Sequence, residues 1–495
     1  MAENIDYVLP EVTEALKPWL RVRDAVNGED AVKKRGHEYL PYIMPEDKSE
    51  HNKARNAAYV QRAVFYGVTK RTLKGMVGQV MGKPAVLTVP ALMDFIQDDV
   101  DGGAVSIEQQ SRQALSDALS VGRLGLLTDY PTLAPGERVT RADLLNARVR
   151  PTIQYYFAEQ IINWRVEMVK GIRKLTLVVL IESYVKEDDG FKKEEAPQWR
   201  VLRLVNNEYI VQVWRKSESG SFIVVESSRP LDSTGKPFEE ILFTVVGSDN
   251  NDPGIDDAPL LDMASLNMAH YRNSADHEES AFIVGQPTLV LAGMTKDWVD
   301  EVWTNKEILP NGVALGSRSA IPLPPGGDAN LLQANPNTLC FEAMKHKEEQ
   351  MKALGAKLVE PKTSTQTLGE AQMDEASEAS VLMSCAKNVS AGYTRCLRWA
   401  AQFVGAPITD DLGYELNTDF EISRMTVQAR QQLLSEWQAG AISTTEYRSI
   451  LRRAAIATQD DEVYQEEVDQ QTAKDLETKA QFSDPIGGGG NENQE

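Results

Sequence analysis

Histidine and carboxylate residues cluster in one stretch of this 495-residue chain. His270 and His277 lie seven residues apart, which places them on one face of a helix, and Asp276 and Glu278 flank the second histidine. The pattern allows two interpretations: part of a metal site, which needs further ligands from elsewhere, or a face that forms hydrogen bonds between helices. Because the spacing is not H-E-x-x-H, the sequence favours the interhelical face and predicts no metal.

Other signatures of catalysis or of cofactor binding are missing from the sequence. The Gly-Gly pairs at positions 102 and 326 lack the strand–glycine–helix context and the G-K-[ST] ending of a phosphate-binding loop. There is no G-x-S-x-G motif and no catalytic Cys/His signature. The sequence therefore predicts a protein that is not an enzyme and has no cofactor.

Lysine and hydroxyl side chains form a second group of candidates, on and just after a helix predicted over residues 337–359. By themselves the lysines form a solvated helix face. If such helices lined the channel of a ring, each lysine would become a ring of positive charge that meets DNA phosphates reversibly. The polar break at 361–368 could project into the same channel. The candidate DNA-contacting residues are Lys345, Lys347, Lys352, Lys357, Lys362, Thr363, Ser364 and Thr365.

The histidine pair belongs to the stretch around which the chain is organised. Asp256, Asp257 and Pro259 predict a helix start. Apolar residues at steps of three to five then predict a helix over 258–283, about 39 Å long. Its polar side can form ion pairs, because Arg272 precedes Asp276 by four residues and Glu279 by seven.

The two long helices enclose a small mixed module. Strands are predicted at 288–291 and 312–315, with a short helix at 296–303 between them. The proline and glycine residues at 322–327 predict a stiff exit. The sequence thus predicts a helical hairpin with a compact module of about 50 residues at its tip.

A charge anomaly lies near the N-terminus, after an arm in which Pro10, Pro18, Pro41 and Pro45 predict helix breaks. From residue 51 to residue 93 there are seven lysines and arginines but no aspartate or glutamate. Two interpretations remain open: a buried basic helix whose charged ends reach solvent, or an acid-binding face toward a neighbouring subunit or DNA. The candidate subunit-interface residues are Arg62, Lys70, Lys74, His270, Arg272, Asp276, His277 and Glu279.

The remaining pattern predicts a mixed, mainly helical α+β chain. A helix is predicted at 107–121 and a short strand at 125–129. β-rich runs separated by turn signals predict one inserted antiparallel sheet domain, with strands at 175–184, 199–205, 209–214, 222–225 and 241–246.

The C-terminal part is predicted to be mainly helical. Thr367 and Glu370 match a capping box that starts a helix ending at Val404. A strand at 418–425 and helices at 426–438 and 444–455 follow. The acidic residues beyond Gln459 predict a mobile tail.

Composition limits the class of protein. The formal net charge of −21 argues against a protein that coats nucleic acid, but not against one that surrounds DNA without gripping it. Three cysteines without C-x-x-C spacing predict reduced thiols, with Cys385 and Cys396 packed as small hydrophobic residues. No signal peptide is predicted, and the longest apolar run is far below the ~20 residues of a membrane helix. A soluble intracellular product without membrane contact is therefore expected.

Three stretches resemble the portal protein (head-to-tail connector) family of tailed bacteriophages. The run Pro-Leu-Leu-Asp-Met-Ala-Ser-Leu-Asn-Met-Ala-His-Tyr-Arg-Asn-Ser-Ala-Asp-His-Glu, residues 259–278, resembles the family's first stem helix. Thr-Leu-Gly-Glu-Ala, with Ser-Ala-Gly-Tyr-Thr-Arg-Cys-Leu-Arg-Trp-Ala later in the same stretch (367–405), resembles its segment after the tunnel loop. The third stretch is 52–84, and the shared order of the parts extends the resemblance over most of residues 50–455.

The resemblance implies a portal fold with wing, stem helices, clip, tunnel loop and helical crown. It implies the following divisions: N-terminal arm 1–50, wing 51–257, first stem helix 258–283, clip 284–336, second stem helix 337–360, tunnel loop 361–369, long wing and tunnel helix 370–415, crown 416–458, and acidic flexible tail 459–495.

The resemblance also implies a function. It implies a ring, usually of twelve subunits, at one capsid vertex of the virion, assembled in the host cytoplasm. Double-stranded DNA passes through this ring during packaging, retention and ejection. The implied partners are the major capsid protein, the terminase motor and tail or adaptor proteins. Two alternatives stay open: a virion scaffolding or adaptor protein without a channel, and a metal-dependent hydrolase centred on His270 and His277.

Overall fold

A computed structural model describes residues 4–131, 150–285, 288–304, 323–332, 338–355, 368–418 and 427–453. The chain divides into two units, Met1–Thr418 and Asp419–Glu495, and each is described by itself. The fold is α+β, with long helices and antiparallel sheets. Among the described residues, no helix is both long and apolar enough to cross a membrane.

The helices and strands have the following bounds. The helices are α1 Pro10–Asn27, α2 Glu29–Lys34, α3 Glu50–Arg62, α4 Val68–Val80, α5 Ile107–Val121, α6 Leu261–Val284, α7 Leu339–Ala353, α8 Leu368–Val404, α9 Val427–Gln438 and α10 Thr444–Arg453. The strands are β1 Val86–Thr88, β2 Arg123–Asp129, β3 Thr152–Phe157, β4 Ile161–Val169, β5 Ile172–Asp188, β6 Lys193–Val205, β7 Glu208–Lys216, β8 Phe222–Ser228, β9 Phe243–Gly247, β10 Thr288–Ala292, β11 Asp328–Leu332 and β12 Gly413–Glu415.

The β-rich region forms two sheets rather than the single predicted one. The larger sheet has the order β4-β5-β6-β7-β8, and every neighbouring pair is antiparallel. The predicted strand at 241–246 does not join it: β9 pairs with β2, with Leu124 opposite Val246, in a sheet of order β3-β2-β9. All five residues of β9 are buried, so this strand needs a site covered on both faces.

The N-terminal arm corrects one expectation about proline. Pro10 is the first residue of α1, where its missing N–H has no intrahelical partner to lose. Pro18 lies inside the same helix and does not break it. An internal proline costs about 3 kcal/mol, and α1 offsets this by burying Trp19, Val22 and Ala25.

The core of the first unit forms where α8 packs across β9 and α5. Gly392 faces β9 so closely that an added Cβ would lie 2.5 Å from Val246 Cγ2. Tyr393 is fully buried, and its hydroxyl donates to Gln110 Oε1 at 2.9 Å. Cys385 and Cys396 are buried, as predicted, and burial raises the pKa of each thiol to about 12.

The small module between α6 and α7 is partly described. β10 extends the predicted strand to Ala292, and the predicted helix at 296–303 is one short turn followed by a wider π turn. β10 pairs with β11, a strand that the sequence did not predict. The predicted strand at 312–315 lies outside the described residues.

The second unit contains the helical pair α9 and α10, at the predicted positions. Ser443 and Glu446 form a capping box at the start of α10: each backbone N–H donates to the other's side chain at 3.1 Å. The rings of Trp437 and Tyr447 stack with centroids 4.9 Å apart. The predicted strand at 418–425 falls largely, and the acidic tail wholly, outside the described residues.

Candidate functional site

The candidate site is built on α6, the helix that carries the histidine pair. It begins at Leu261, three residues after the predicted start, and its N-cap residue Leu260 makes no side-chain capping bond. Asp256 does not cap α6, because its carboxylate accepts the backbone N–H groups of Asp249 and Asn250. Gly285 follows the last helical residue, as predicted.

α6 and α7 pack as an antiparallel hairpin. Nε2 of His270 lies 3.4 Å from Oε1 of Glu348, and the rings of His277 and Phe341 have centroids 6.1 Å apart. A step of seven residues forward along α6 therefore corresponds to seven residues backward along α7. The β10–β11 module connects the two helices, so the predicted helical hairpin is confirmed.

His270 is an interhelical residue, as the sequence favoured. It is only 3% exposed, and burial lowers its pKa although Glu348 opposes this shift. Its Nδ1 atom is buried without a hydrogen-bond partner among the described residues. Among those residues, no three His, Cys, Asp or Glu side chains are grouped so that they could hold a metal ion.

A pair of arginines from the basic stretch binds the C-terminal half of α6. Arg55 Nε donates to Glu279 Oε1 at 2.9 Å, and Arg62 donates to the other carboxylate oxygen of Glu279. The Arg62 guanidinium also lies 4.2 Å from the centroid of the Phe282 ring. Asp276, three residues before Glu279 on α6, accepts a hydrogen bond from the Tyr59 hydroxyl at 2.6 Å. Part of the predicted acid-binding face is therefore satisfied within the chain.

Buried polar residues on α6 hold the segment between α3 and α4. Asn267 Oδ1 accepts from the backbone N–H and the hydroxyl of Thr69 at 3.3 and 3.0 Å, and its amide donates to the Tyr66 carbonyl at 2.8 Å. Ser274 accepts the backbone N–H of Val64 at 3.1 Å. Sequence reasoning missed Asn267 and Ser274, and polar residues inside a helical pattern were the only signal.

The other interface candidates lie on α4 and on α6. Arg272 donates to the Tyr39 carbonyl at 3.0 Å, so its partner is the N-terminal arm rather than Asp276. Lys70 donates to the Asn27 carbonyl at 3.2 Å, and Lys74 is exposed on α4. Their role between subunits stays a prediction.

The lysines of α7 do not share one side of the helix. At 100° per residue, Lys345 and Lys352 lie about 20° apart, whereas Lys347 lies about 200° beyond Lys345. Lys345 is exposed, with its ammonium 4.6 Å from the centroid of the Phe341 ring. Lys347 and Lys352 are half-buried. One wall of a channel can therefore receive Lys345 and Lys352 together, but not Lys347 with them. Lys357, Lys362, Thr363, Ser364 and Thr365 lie outside the described residues.

Arg123 fixes the loop that leads into α6, a role that no sequence pattern indicated. It is fully buried beneath the Trp164 ring, 4.3 Å from the ring centroid. Its guanidinium donates to the carbonyls of Pro253, at 2.8 Å, and Gly254. Burial lowers its pKa to about 10.

Comparison with known proteins gives a family match over part of the chain and likenesses to chains of solved structures. Residues 259–404 match a family described as a domain of unknown function, DUF4055. No curated protein matches the chain. A chain of the virion of a native gene transfer agent particle is similar at 14% identity and a TM-score of 0.35, covering 78% of this chain and 89% of that one. A chain from the neck of an empty gene transfer agent particle, computed with C6 symmetry, is similar at 13% identity and a TM-score of 0.38, covering 78% and 90%.

Proposed function

We propose that this chain is the portal protein of a tailed-phage-like particle. Copies of the chain form a ring, with twelve as the expected number, at one vertex of the capsid. Double-stranded DNA passes through the central channel during packaging and ejection and is retained behind it. The ring binds the packaging motor at one stage and tail or adaptor proteins at another stage.

The observation that carries this proposal is the antiparallel α6–α7 hairpin with the β10–β11 module between its helices. In the portal family two stem helices enclose a clip in this chain order. The residues that resemble the first stem helix, 259–278, coincide with most of α6. The stretch that resembles the segment after the tunnel loop coincides with α8, Leu368–Val404. We therefore assign α6 and α7 as stem helices and residues 284–336 as the clip.

The charge of the chain suits passage of DNA rather than tight binding. A formal net charge of −21 on each copy repels a polyanion. An exposed lysine repeated around a ring lowers that barrier locally through contacts that salt weakens. Lys345 is the best placed of the described lysines, because it is exposed on α7 beside Lys352.

The proposal assigns no enzymatic activity and no cofactor to the chain. The energy for packaging comes from a separate motor protein, because this sequence has no phosphate-binding loop. The major capsid protein surrounds the ring in the virion, and assembly takes place in the host cytoplasm. The wing, crown and tail divisions follow the family order.

Electron microscopy of the purified full chain, with mass from light scattering, tests the proposal. The expected result is a closed ring of about twelve chains of 54.9 kDa with a hole wider than a DNA duplex. Capsid proteins are supplied if the chain alone stays unassembled. An oligomer without a hole would refute the channel and would favour a scaffolding or adaptor protein.

A further inference from the structure

α7 is held in the first unit mainly by its contact with α6. Of its fifteen residues only Met351 is buried, and the side chains of Leu339 and Phe341 are 69% and 45% exposed. The apolar area that packing removes from water sets most of the free energy of such a contact. The contact between α7 and α6 is therefore weak, and it can open locally while the rest of the unit stays folded.

His270 lies within this contact, and its side chain is buried there. The groups that face it come from two elements. On α7, Glu348 Oε1 lies 3.4 Å from Nε2, and Lys347 is the other charged group whose field acts on the ring. In the segment between α3 and α4, the Tyr66 ring has its centroid 5.9 Å from that of His270. Since α7 covers one side of the imidazole, separation of α7 from α6 exposes the ring to water.

The surroundings of His270 favour its neutral form. A neutral imidazole has one N–H, which Nε2 can donate to Glu348. The other ring nitrogen, Nδ1, is buried and has no hydrogen-bond partner among the described residues. Protonation places a second N–H on the ring, and a buried donor without an acceptor is unfavourable. Burial accordingly lowers the pKa of His270, although the hydrogen bond with Glu348 and its charge oppose the shift.

We infer that the contact between α6 and α7 is a pH-sensitive switch, in which protonation of His270 releases α7 from α6. Once the two helices separate, water solvates both ring nitrogens, and the charged imidazole is no longer penalised. The open hairpin therefore binds a proton more tightly than the closed hairpin, so that a fall in pH shifts the equilibrium towards the open form. This switch is a property of the single chain and does not depend on the ring.

Proton linkage gives the pH range and the size of the effect. In the open hairpin the exposed ring has a pKa of about 6.5. The stabilisation of the closed hairpin is therefore present above about pH 6.5 and is lost as the pH falls to the lower pKa of the closed form. While the ring stays neutral in the closed form, each pH unit below about 6.5 raises the equilibrium constant for opening about tenfold.

Hydrogen–deuterium exchange of the full chain, at a concentration too low for assembly and read by mass spectrometry, tests this inference. Peptides from α7 are compared between about pH 7.5 and about pH 5.5, after correction for the pH dependence of the chemical exchange itself. The protection of α7 is expected to fall by up to about tenfold over this range. Peptides from α5, a mostly buried helix of the same unit, are expected to keep their protection.

Two variants separate His270 from the other histidines of the hairpin. His270→Gln keeps a polar side chain but cannot gain a proton, so its α7 protection is expected to be independent of pH. His277 also lies in the hairpin, with its ring centroid 6.1 Å from that of Phe341, and any effect of His277 persists in this variant. His346→Gln is the matched control on α7, because His346 is exposed. It is expected to keep the pH dependence of the parent.

Glu348→Gln tests the direction of the switch. The carboxylate of Glu348 favours the protonated ring, so its removal makes protonation of the closed hairpin less favourable. Relative to its own protection at about pH 7.5, this variant should lose at least as much protection at about pH 5.5 as the parent. A smaller loss would mean that protonation strengthens the contact through Glu348, which is the opposite of the inference.

The pattern across the variants decides the inference. A fall in α7 protection in the parent and in His346→Gln, but not in His270→Gln, supports it. Any other pattern overturns it: protection that does not change with pH, protection that is absent at every pH, or a fall that His270→Gln shares. An equal loss in α5 also overturns it, because the whole unit then unfolds. Since the chain is unassembled in this experiment, none of these results bears on the ring, which electron microscopy tests separately.

Discussion

Gly392 and Gly78 offer one substitution with opposite expected effects. Both glycines lie inside helices, α8 and α4, and neither has a positive φ. A Cβ added at Gly392 would lie 2.5 Å from Val246 Cγ2, whereas nothing lies within 4 Å of a Cβ added at Gly78. Carbon atoms pack at about 3.5–4.0 Å, so Gly392→Ala forces a shift of about 1 Å. Val246 is fully buried and β-branched, so its side chain cannot rotate away.

The expected magnitudes follow from these two environments. Alanine gains about 1 kcal/mol over glycine in a helix interior, and overpacking a core costs about 1–3 kcal/mol. Gly78→Ala should therefore raise the free energy of unfolding by about 0.5–1 kcal/mol. Gly392→Ala should lower it by up to about 2 kcal/mol, because overpacking outweighs propensity. The two variants should differ by about 1–3 kcal/mol.

Urea unfolding of the unassembled chain, followed by circular dichroism, measures the free energy of unfolding of both variants and of the parent. The parent and Gly78→Ala serve as the reference pair, since propensity alone separates them. A Gly392→Ala chain as stable as Gly78→Ala would refute the close approach of α8 to β9.

Three further predictions concern the hairpin. Glu279→Ala leaves Arg55 and Arg62 without the carboxylate they share. Since both arginines are partly exposed, the free energy of unfolding in urea should fall by about 2 kcal/mol, less than the ~3–5 kcal/mol lost when a fully buried ion pair is broken. An unchanged midpoint would contradict this. Burial lowers the pKa of His270 below 6.5, so the stability associated with its neutral form is present above that pH and is lost as the pH falls through the folded-state pKa. His270→Gln should flatten the fall of unfolding free energy below about pH 6.5, and an unaltered slope would argue against it. Lys345→Glu should reduce DNA retention in filled particles more than Lys347→Glu at low salt, because Lys345 is exposed whereas Lys347 is half-buried. Equal losses would count against this placement.

Local signals were sufficient for several helices. The helix predicted at 107–121 is α5 with the same bounds, and the structure adds a capping box between Ser106 and Gln109. The two C-terminal helices and the first hairpin helix also formed within three residues of their expected limits, whereas α7 ends at Ala353, six residues before the predicted end at 359. Such helices depend on contacts within one or two turns, so periodicity and capping residues contain most of the information.

The partners of strands required the tertiary structure. β9 joins β2, about 120 residues earlier, and β1 joins β12, more than 300 residues later. Neither pairing leaves a local trace, because a strand has the same alternation whichever sheet receives it. Pro18 stays helical for the same kind of reason: the burial of Trp19 and Val22 is decided by distant residues.

Some features of the candidate site were likewise predictable from the sequence, and others depended on the tertiary structure. The amino-acid sequence by itself determined that two long helices enclose a small module and that His270 lies between helices. Only the tertiary structure decided that Glu348 faces His270, that Arg55 and Arg62 share Glu279, and that Lys345 is exposed whereas Lys347 is half-buried. The physical reason is that helix periodicity fixes the angle between residues of one helix, whereas the packing of the whole chain decides which side of that helix faces a partner.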